Sequence, residues 1–443
     1  MNKQKEIIDY IIKFLIGDYP SDNIVNAVGY TAEITCFQNF KVVIVPSGFF
    51  SENLYGTKES LPAMPLHDIE GVPLLFGRPE IERLGDTVVV HADIVASAFF
   101  LLSRYEEKIR PEIRDEHGRF PGRESLPFRA GFIHRPIVDE YGRLLRKWLR
   151  DSGVDIEDPP CKIETIYLTH DVDAPFYCRT VRSVLRCLKE GQNLKQLLKI
   201  KNGELENDPY YTFPWLLEQD AALSEKLGRE RCKTIFFLKA GGSSPQDRPL
   251  YDLNSKDIRE LLRLATSCNV RIGLHSSYSA GKNPDLIKEE KARLEKFYYS
   301  QTLAMTCEID CNRHHFLASR EPSHALALDN LNFREDFTMG YADVAGFRLG
   351  TSRKVHRFDL ERNSISDHLV LHPLTIMDGT LDEPAYMNLP HDAALDYCMK
   401  LIEYVRNNHG ELTLLWHNTS VIEGVKRYLR DLYVELLQKL QSE

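Results

Sequence analysis

The sequence predicts an α/β fold: a distorted (β/α) barrel of about seven repeats with a separate N-terminal α/β domain. Three observations carry that expectation. Beyond residue 160, short β-prone runs alternate with amphipathic helical patterns to the C-terminus, the signature of a parallel sheet with helical crossovers. At 443 residues the chain exceeds one ordinary domain. Residues 151–160 hold a glycine, two consecutive prolines and several acids, which read as a boundary. The domains are therefore expected over 1–155 and 161–443.

In the N-terminal part, apolar spacing predicts a helix over 5–16, and strands are expected at 32–34, 42–45 and 87–90 between loops rich in Gly and Pro. Residues 93–107 read as one helix with a face of small and aromatic residues. Its charged end, Arg104-Tyr105-Glu106-Glu107, reads as a solvated terminus. The long loop 110–135, dense in Arg, Gly and Pro, reads as an inter-domain clamp, and 136–149 as an amphipathic helix.

In the second part, strands are expected near 165–169, 234–239, 270–274, 308–313, 337–341, 369–374 and 412–416. Helices are expected near 177–189, 255–267, 284–302, 324–331, 393–408 and 421–441, with 210–230 an extra helical insertion. The 255–267 helix has a start signal in Asn254 or Ser255, ahead of apolar Ile258, Leu261, Leu262 and Leu264.

The strand ends are where chemistry collects. Ile166-Tyr167-Leu168 reads as a buried strand running into Thr169-His170-Asp171-Val172-Asp173. Just past a strand end the alternation rule loosens, so Asp171 and Asp173 can turn toward one cavity. Such a pair suits a metal ligand beside a general base, or equally turn and capping aspartates before Pro175. Further along, His275 stands in Gly-Leu-His-Ser-Ser-Tyr-Ser, Arg313, His314 and His315 follow the fourth strand, Asp343 the fifth, and His417 the last. In closed α/β barrels that face carries the active site, so these residues are expected to converge.

The order Thr-x-Asp-x-Asp, Gly-Leu-His-Ser, Arg-x-His and a Leu-rich strand closing on His resembles the NodB-type polysaccharide deacetylases, carbohydrate esterase family 4, from about residue 163 to the C-terminus. The segments Ala-Ser-Ala-Phe-Phe-Leu-Leu-Ser-Arg-Tyr-Glu-Glu and Gly-Arg-Phe-Pro are similar to the additional N-terminal domain of a bacterial subgroup of these proteins. The resemblance implies a hydrolase acting on carbon–nitrogen bonds other than peptide bonds, a metal-dependent deacetylase for an acetamide or acetate ester on a sugar or glycan. It implies Asp171 as general base, Arg313 as the residue orienting it and His417 as general acid. Asp173 and His275 would hold a zinc-like divalent metal. Two departures stand out. Ser279 occupies the place of the family's second histidine, and Arg-His-His-Phe-Leu replaces Arg-x-Pro-x-Gly, so His315 is expected as the third protein ligand. Two other readings share the barrel: a catalytically degenerate relative that binds a glycan or a partner, and another amidohydrolase or a glycosidase.

Composition limits the partners. A formal charge of -9 and a pI near 6.0 argue against nucleic acid or an anionic membrane, although a local basic patch can hide inside an acidic total. The longest apolar run, 94–102, is too short to span a bilayer, and Asp9 and Lys13 interrupt any signal-peptide core. The nine cysteines are scattered without a CxxC pair. Cys307 and Cys311 stand closest, and no second pair completes a zinc cage. Reduced thiols and a cytoplasmic location are the expectation. The sequence is silent on oligomeric state.

Overall fold

In the computed structural model, which describes residues 2–18, 20–302, 308–320, 323–424 and 428–443, the chain divides into two units. The first comprises Met1–Glu164, Met339–Thr375 and Lys400–Glu411; the second comprises Thr165–Thr338, Ile376–Met399 and Leu412–Glu443. The eight described cysteines are all free; Cys307 lies outside the described residues. The segment expected as a helix over 421–441 includes residues 425–427, also outside them, and its described helix is Leu429–Leu440.

The first unit holds a four-stranded sheet in the order Val28–Tyr30, Val42–Ile44, Thr87–Ala92, Gly77–Leu84. The first three strands are parallel and the last is antiparallel to its neighbour. The expected strand at 32–34 is instead a turn into a 3-10 helix, Ile34–Asn39, because the Thr31 hydroxyl accepts the Glu33 amide and ends the extended run. The Gly77–Leu84 strand was not foreseen, because its exposed, charge-rich residues carry no alternating signal.

The stretch 93–107 is two helices rather than one. Ile94–Leu102 is wholly buried and capped by Asp93, whose carboxylate accepts the Ala96 amide at 2.9 Å. Arg104 then takes a left-handed conformation (φ 55°) and a second short helix, Tyr105–Ile109, begins. The expected solvated terminus is in fact interior. Glu106 accepts from Leu126 N (2.7 Å), Arg110 (2.9 Å) and Arg129 (2.7 Å), and Glu107 forms a two-point bridge to Arg348 at 2.8 and 2.9 Å. Carboxylates buried this way are stable only because each is matched by guanidinium groups from distant positions. Within this unit the 110–135 loop is tied down by Asp343, which accepts the amides of Gly122 (2.7 Å) and Arg123 (3.1 Å). The run expected as a strand at 369–374 belongs to an antiparallel pair, Val355–Asp359 with Ser364–Pro373.

The second unit is an α/β structure whose sheet curls as part of a half-barrel. Its strands are β1 (Thr165–Val172), β2 (Cys232–Leu238), β3 (Arg271–Ser276), β4 (Cys311–His314), β5 (Glu335–Met339), β6 (Ile376–Met377) and β7 (Glu411–Leu415). Their spatial order is β5-β4-β3-β2-β1-β7-β6. Each pair from β1–β2 through β4–β5 is parallel, as is β6–β7. Between β1 and β2 run the helices Val181–Lys189, Leu194–Asn202 and Phe213–Leu227. The helix Lys256–Ser267 starts on Ser255, whose hydroxyl accepts Ile258 N, and buries Ile258, Leu261 and Leu262.

Strand β1 outlasts the apolar run that announces it, and all eight of its residues are buried. Its period-2 alternation divides the polar residues between two faces. Thr169 and Asp171 face Arg313. His170 faces the opposite way, with Nδ1 on the Trp416 carbonyl (2.7 Å) and Nε2 on Asp220 (3.0 Å). Asp220 also accepts from the Tyr433 hydroxyl at 2.6 Å and from Thr234 at 3.2 Å. Asp220→Ala leaves two buried donors, on His170 and Tyr433, and the half-buried Thr234 hydroxyl without their acceptor. A loss of about 3 kcal/mol of unfolding free energy is expected, read from the urea midpoint at constant m-value. A change inside the scatter of surface substitutions would show that this network contributes nothing.

Candidate active site

Of the eight strand-end residues expected to converge, six (Asp171, Asp173, His275, Arg313, His315 and His417) come together within the second unit, at the carboxyl ends of β1, β3, β4 and β7. Asp171 sits inside β1, and Asp173 follows one residue past its end. Both therefore reach one side by alternation, not by escaping it as the shorter expected strand required. Arg313, fully buried near the end of β4, donates from Nη1 to Asp171 Oδ1 (2.9 Å) and to Thr169 Oγ1 (2.8 Å), and from Nε to the Phe337 carbonyl (3.1 Å). Its guanidinium also lies 4.5 Å from the centre of the Phe237 ring. Asp171 is thus held in one orientation by a rigid cation.

Asp173 is the meeting point of two imidazoles. Its Oδ1 lies 3.3 Å from His275 Nε2 and 3.2 Å from His315 Nε2, and the donor atoms of this trio all lie within 4.8 Å of one another. Neither Asp173 Oδ1 nor His275 Nε2 makes a hydrogen bond, although both are buried. His275 Nδ1 lies 2.9 Å from the Arg313 carbonyl, and since a carbonyl only accepts, that nitrogen carries a proton and Nε2 is the ring nitrogen left to face Asp173. Two donors each about 2.1 Å from a tetrahedral ion stand about 3.4 Å apart, which the two measured separations match. The two nitrogens and one carboxylate oxygen therefore fit a divalent cation.

Charge is distributed accordingly. Burial opposes ionisation of Asp173, but the adjacent His315 and His275 outweigh it and hold the carboxyl well below the usual range. Burial likewise disfavours charge on His315, yet Asp173 and Asp247 raise its pKa. Lys239, at the end of β2, is buried 3.8 Å from Asp173, with its ammonium donating to the carbonyls of Asp247 (3.0 Å) and Pro249 (3.3 Å); burial pulls its pKa down.

His417 closes the group from the end of β7. Its Nε2 is 3.6 Å from Asp173 Oδ2, while Nδ1 and the backbone amide both engage Asp378, at 2.8 and 2.7 Å. Burial works against a charged imidazole here. Asp378 in direct contact, then Asp173 and Asp171, overcome it and lift the pKa to about 10.

Ser279 is not turned toward the cation position. Its hydroxyl donates to Asp247 Oδ2 (2.6 Å) and accepts the amides of Ser243 (2.8 Å) and Ser244 (2.9 Å). Asp247 Oδ1 in turn stands 3.6 Å from His315 Nδ1. The serine thus buttresses a carboxylate that faces His315. Two strand-end residues stay apart from the cluster: Asp343 binds loop amides in the first unit, and His314 stacks on His324 with ring centres 4.6 Å apart.

Asp247, Asp378 and Lys239 escaped the sequence reading. Asp378 follows the two-residue strand β6, too short to leave a periodic trace. Asp247 sits in a 3-10 turn, Pro245–Asp247, whose Ser-x-x-Asp spacing signals only a local cap. Beside Lys239 opens a cavity of about 480 Å³, lined also by Tyr251, Arg293, Lys296 and Phe297. A space of that size is ordinary for a small-molecule site.

Comparison with known proteins gives three results. A family model described as a family of unknown function, DUF7033, matches residues 2–153. No curated protein matches the chain. Among solved structures, the chain is similar to a protein from Mycobacterium smegmatis described as a polysaccharide deacetylase, at 13% identity over 65% of this chain and 89% of that one, with a TM-score of 0.40. It is also similar to BA3943, a CE4 family pseudoenzyme from Bacillus anthracis (12% identity, 65% and 64% covered, TM-score 0.30), and to Puue allantoinase (9%, 64% and 85%, TM-score 0.38).

Proposed function

We propose that this chain is a divalent-metal-dependent hydrolase that removes an acetyl group from an acetamide or acetate ester on a sugar or glycan. The observation that carries the reading is the approach of His275 Nε2 and His315 Nε2 to one hydrogen-bond-free oxygen of Asp173, beside the Arg313–Asp171 pair and opposite His417. A cation held by Asp173, His275 and His315, with zinc the ion best suited to two imidazoles and a carboxylate, would polarise the scissile carbonyl and acidify a water.

The chain's own groups do the rest. Asp171, positioned by Arg313, takes the proton from the attacking water. His417, protonated because Asp378 holds its Nδ1–H, gives a proton from Nε2 to the departing amine or alkoxide. Asp247 acts at one remove, by orienting His315. The test is metal content by elemental analysis of purified protein, paired with acetate release from N-acetylated and O-acetylated sugars. Acetate release that a chelator abolishes and zinc restores is expected. Protein that binds no metal at saturating zinc and releases no acetate would overturn this reading and favour a glycan- or partner-binding role.

A pH profile tests the acid. A general acid works while protonated, so activity falls as pH rises through its pKa. With His417 near 10, and a bound cation pulling it down from there, the basic limb of wild type lies between the ordinary imidazole value of about 6.5 and 10. Asp378→Asn removes the main stabilising charge, so the limb should shift to lower pH. An unmoved limb would take His417 out of the acid role.

A further inference from the structure

Between β1 and β2 the second unit carries a helical hairpin that the hydrolytic site does not use. Helices Val181–Lys189 and Leu194–Asn202 are joined by residues 190–193. Their inward residues Val184, Cys187 and Leu197 form a small core with Cys178. On each helix, two aliphatic residues stand three positions before and one after the central inward residue: Val181 and Leu185 around Val184, Leu194 and Leu198 around Leu197. At 100° per residue both pairs sit on the same flank of their helix. In an antiparallel hairpin packed through its inward faces, equal offsets turn to the same side. The four side chains are 66%, 55%, 49% and 42% exposed. Among the described residues eleven large hydrophobics are exposed, so four within one hairpin is a concentration, not scatter.

Charge marks the same element. Residues 180–202 carry Arg182, Arg186, Lys189, Lys195, Lys199 and Lys201 against Glu190 alone, in a chain whose total is -9. On the helical wheel Arg182, Lys189 and Lys195 follow directly outside the aliphatic stripe. The hairpin therefore presents aliphatic side chains bordered by long cations. Protein interfaces are poor in Lys, and Leu and Val are under-represented among their hot spots, whereas helices that lie in a bilayer surface are built from this combination.

We propose that this hairpin docks the protein peripherally on an anionic lipid surface. Val181, Leu185, Leu194 and Leu198 enter the headgroup boundary, and the flanking cations reach lipid phosphates along their own methylene stems. Docking is independent of hydrolysis and is measured without turnover.

The experiment is co-sedimentation of the full chain with vesicles of phosphatidylcholine alone and of an equal mixture with phosphatidylglycerol. Binding to the mixed vesicles, weakened by high salt, and none to phosphatidylcholine is expected. A Lys195→Glu/Lys199→Glu variant and a Leu185→Ala/Leu198→Ala variant, both surface changes checked for fold by circular dichroism, should each lower the partition by at least about tenfold. Asp173→Asn should bind as wild type does. No binding to either vesicle, equal binding to both, or binding untouched by the hairpin variants would overturn the proposal. So would a hairpin-dependent complex with an acidic protein in the absence of vesicle binding.

Discussion

Asp171→Asn is expected to lower acetate release by roughly 10²- to 10⁴-fold while the metal content stays at the wild-type level. The amide is nearly isosteric, so it keeps the volume of the side chain but cannot take a proton from water. The metal is expected to stay because the three groups whose ligand atoms all lie within 4.8 Å of one another are Asp173, His275 and His315, and Asp171 is not among them. The substitution also leaves the Arg313 guanidinium, fully buried, facing a neutral group. Breaking such a pair costs stability, so a thermal melt must accompany the kinetics. A folded Asp171→Asn protein that hydrolyses at the wild-type rate would remove the base. One that loses its metal would make Asp171 a ligand instead.

His315→Ala is expected to strip the metal. Structural zinc sites of four ligands bind with about 12 kcal/mol at neutral pH, or about 3 kcal/mol per ligand, so losing one should weaken affinity by about a hundredfold. The residue is the informative choice because it stands two positions after Arg313, where the resembled family commonly has proline. If the site works without it, the convergence of its Nε2 on Asp173 at 3.2 Å is an ordinary buried ion pair. Ser279→Ala is the matched control. Its hydroxyl is spent on Asp247 and two backbone amides, so metal should be retained. Competition with a chromophoric chelator measures both variants. Equal affinity in wild type and His315→Ala would sink the assignment, and loss of metal in Ser279→Ala would place the serine among the ligands.

Much of the second unit was legible because its information is local. Apolar runs ending in polar residues announced β1, β3 and β7, and parallel strands buried on both faces have to be written that way. The alternation that puts Thr169 and Asp171 on one face and His170 on the other is a property of any extended chain. The candidate residues could be named for the same reason: each stands at or just past the end of a recognisable strand.

What escaped depends on partners brought from afar. The charged turn at Arg104-Tyr105-Glu106-Glu107 looks solvated until Arg129 and Arg348 arrive around its carboxylates. Nothing near residues 339–375 and 400–411 announces that they pack with the first 164 residues. The proton state of His417 rests on Asp378, 39 positions earlier, and the setting of His315 on Asp247, 68 positions earlier. The sequence by itself determined which groups stand at strand ends and which face each side chain takes, because backbone geometry settles both within a few residues. Tertiary structure alone decided which of those groups meet, since strand order and register place atoms that no local pattern relates. The pKa of each group then follows from neighbours that only the folded chain supplies.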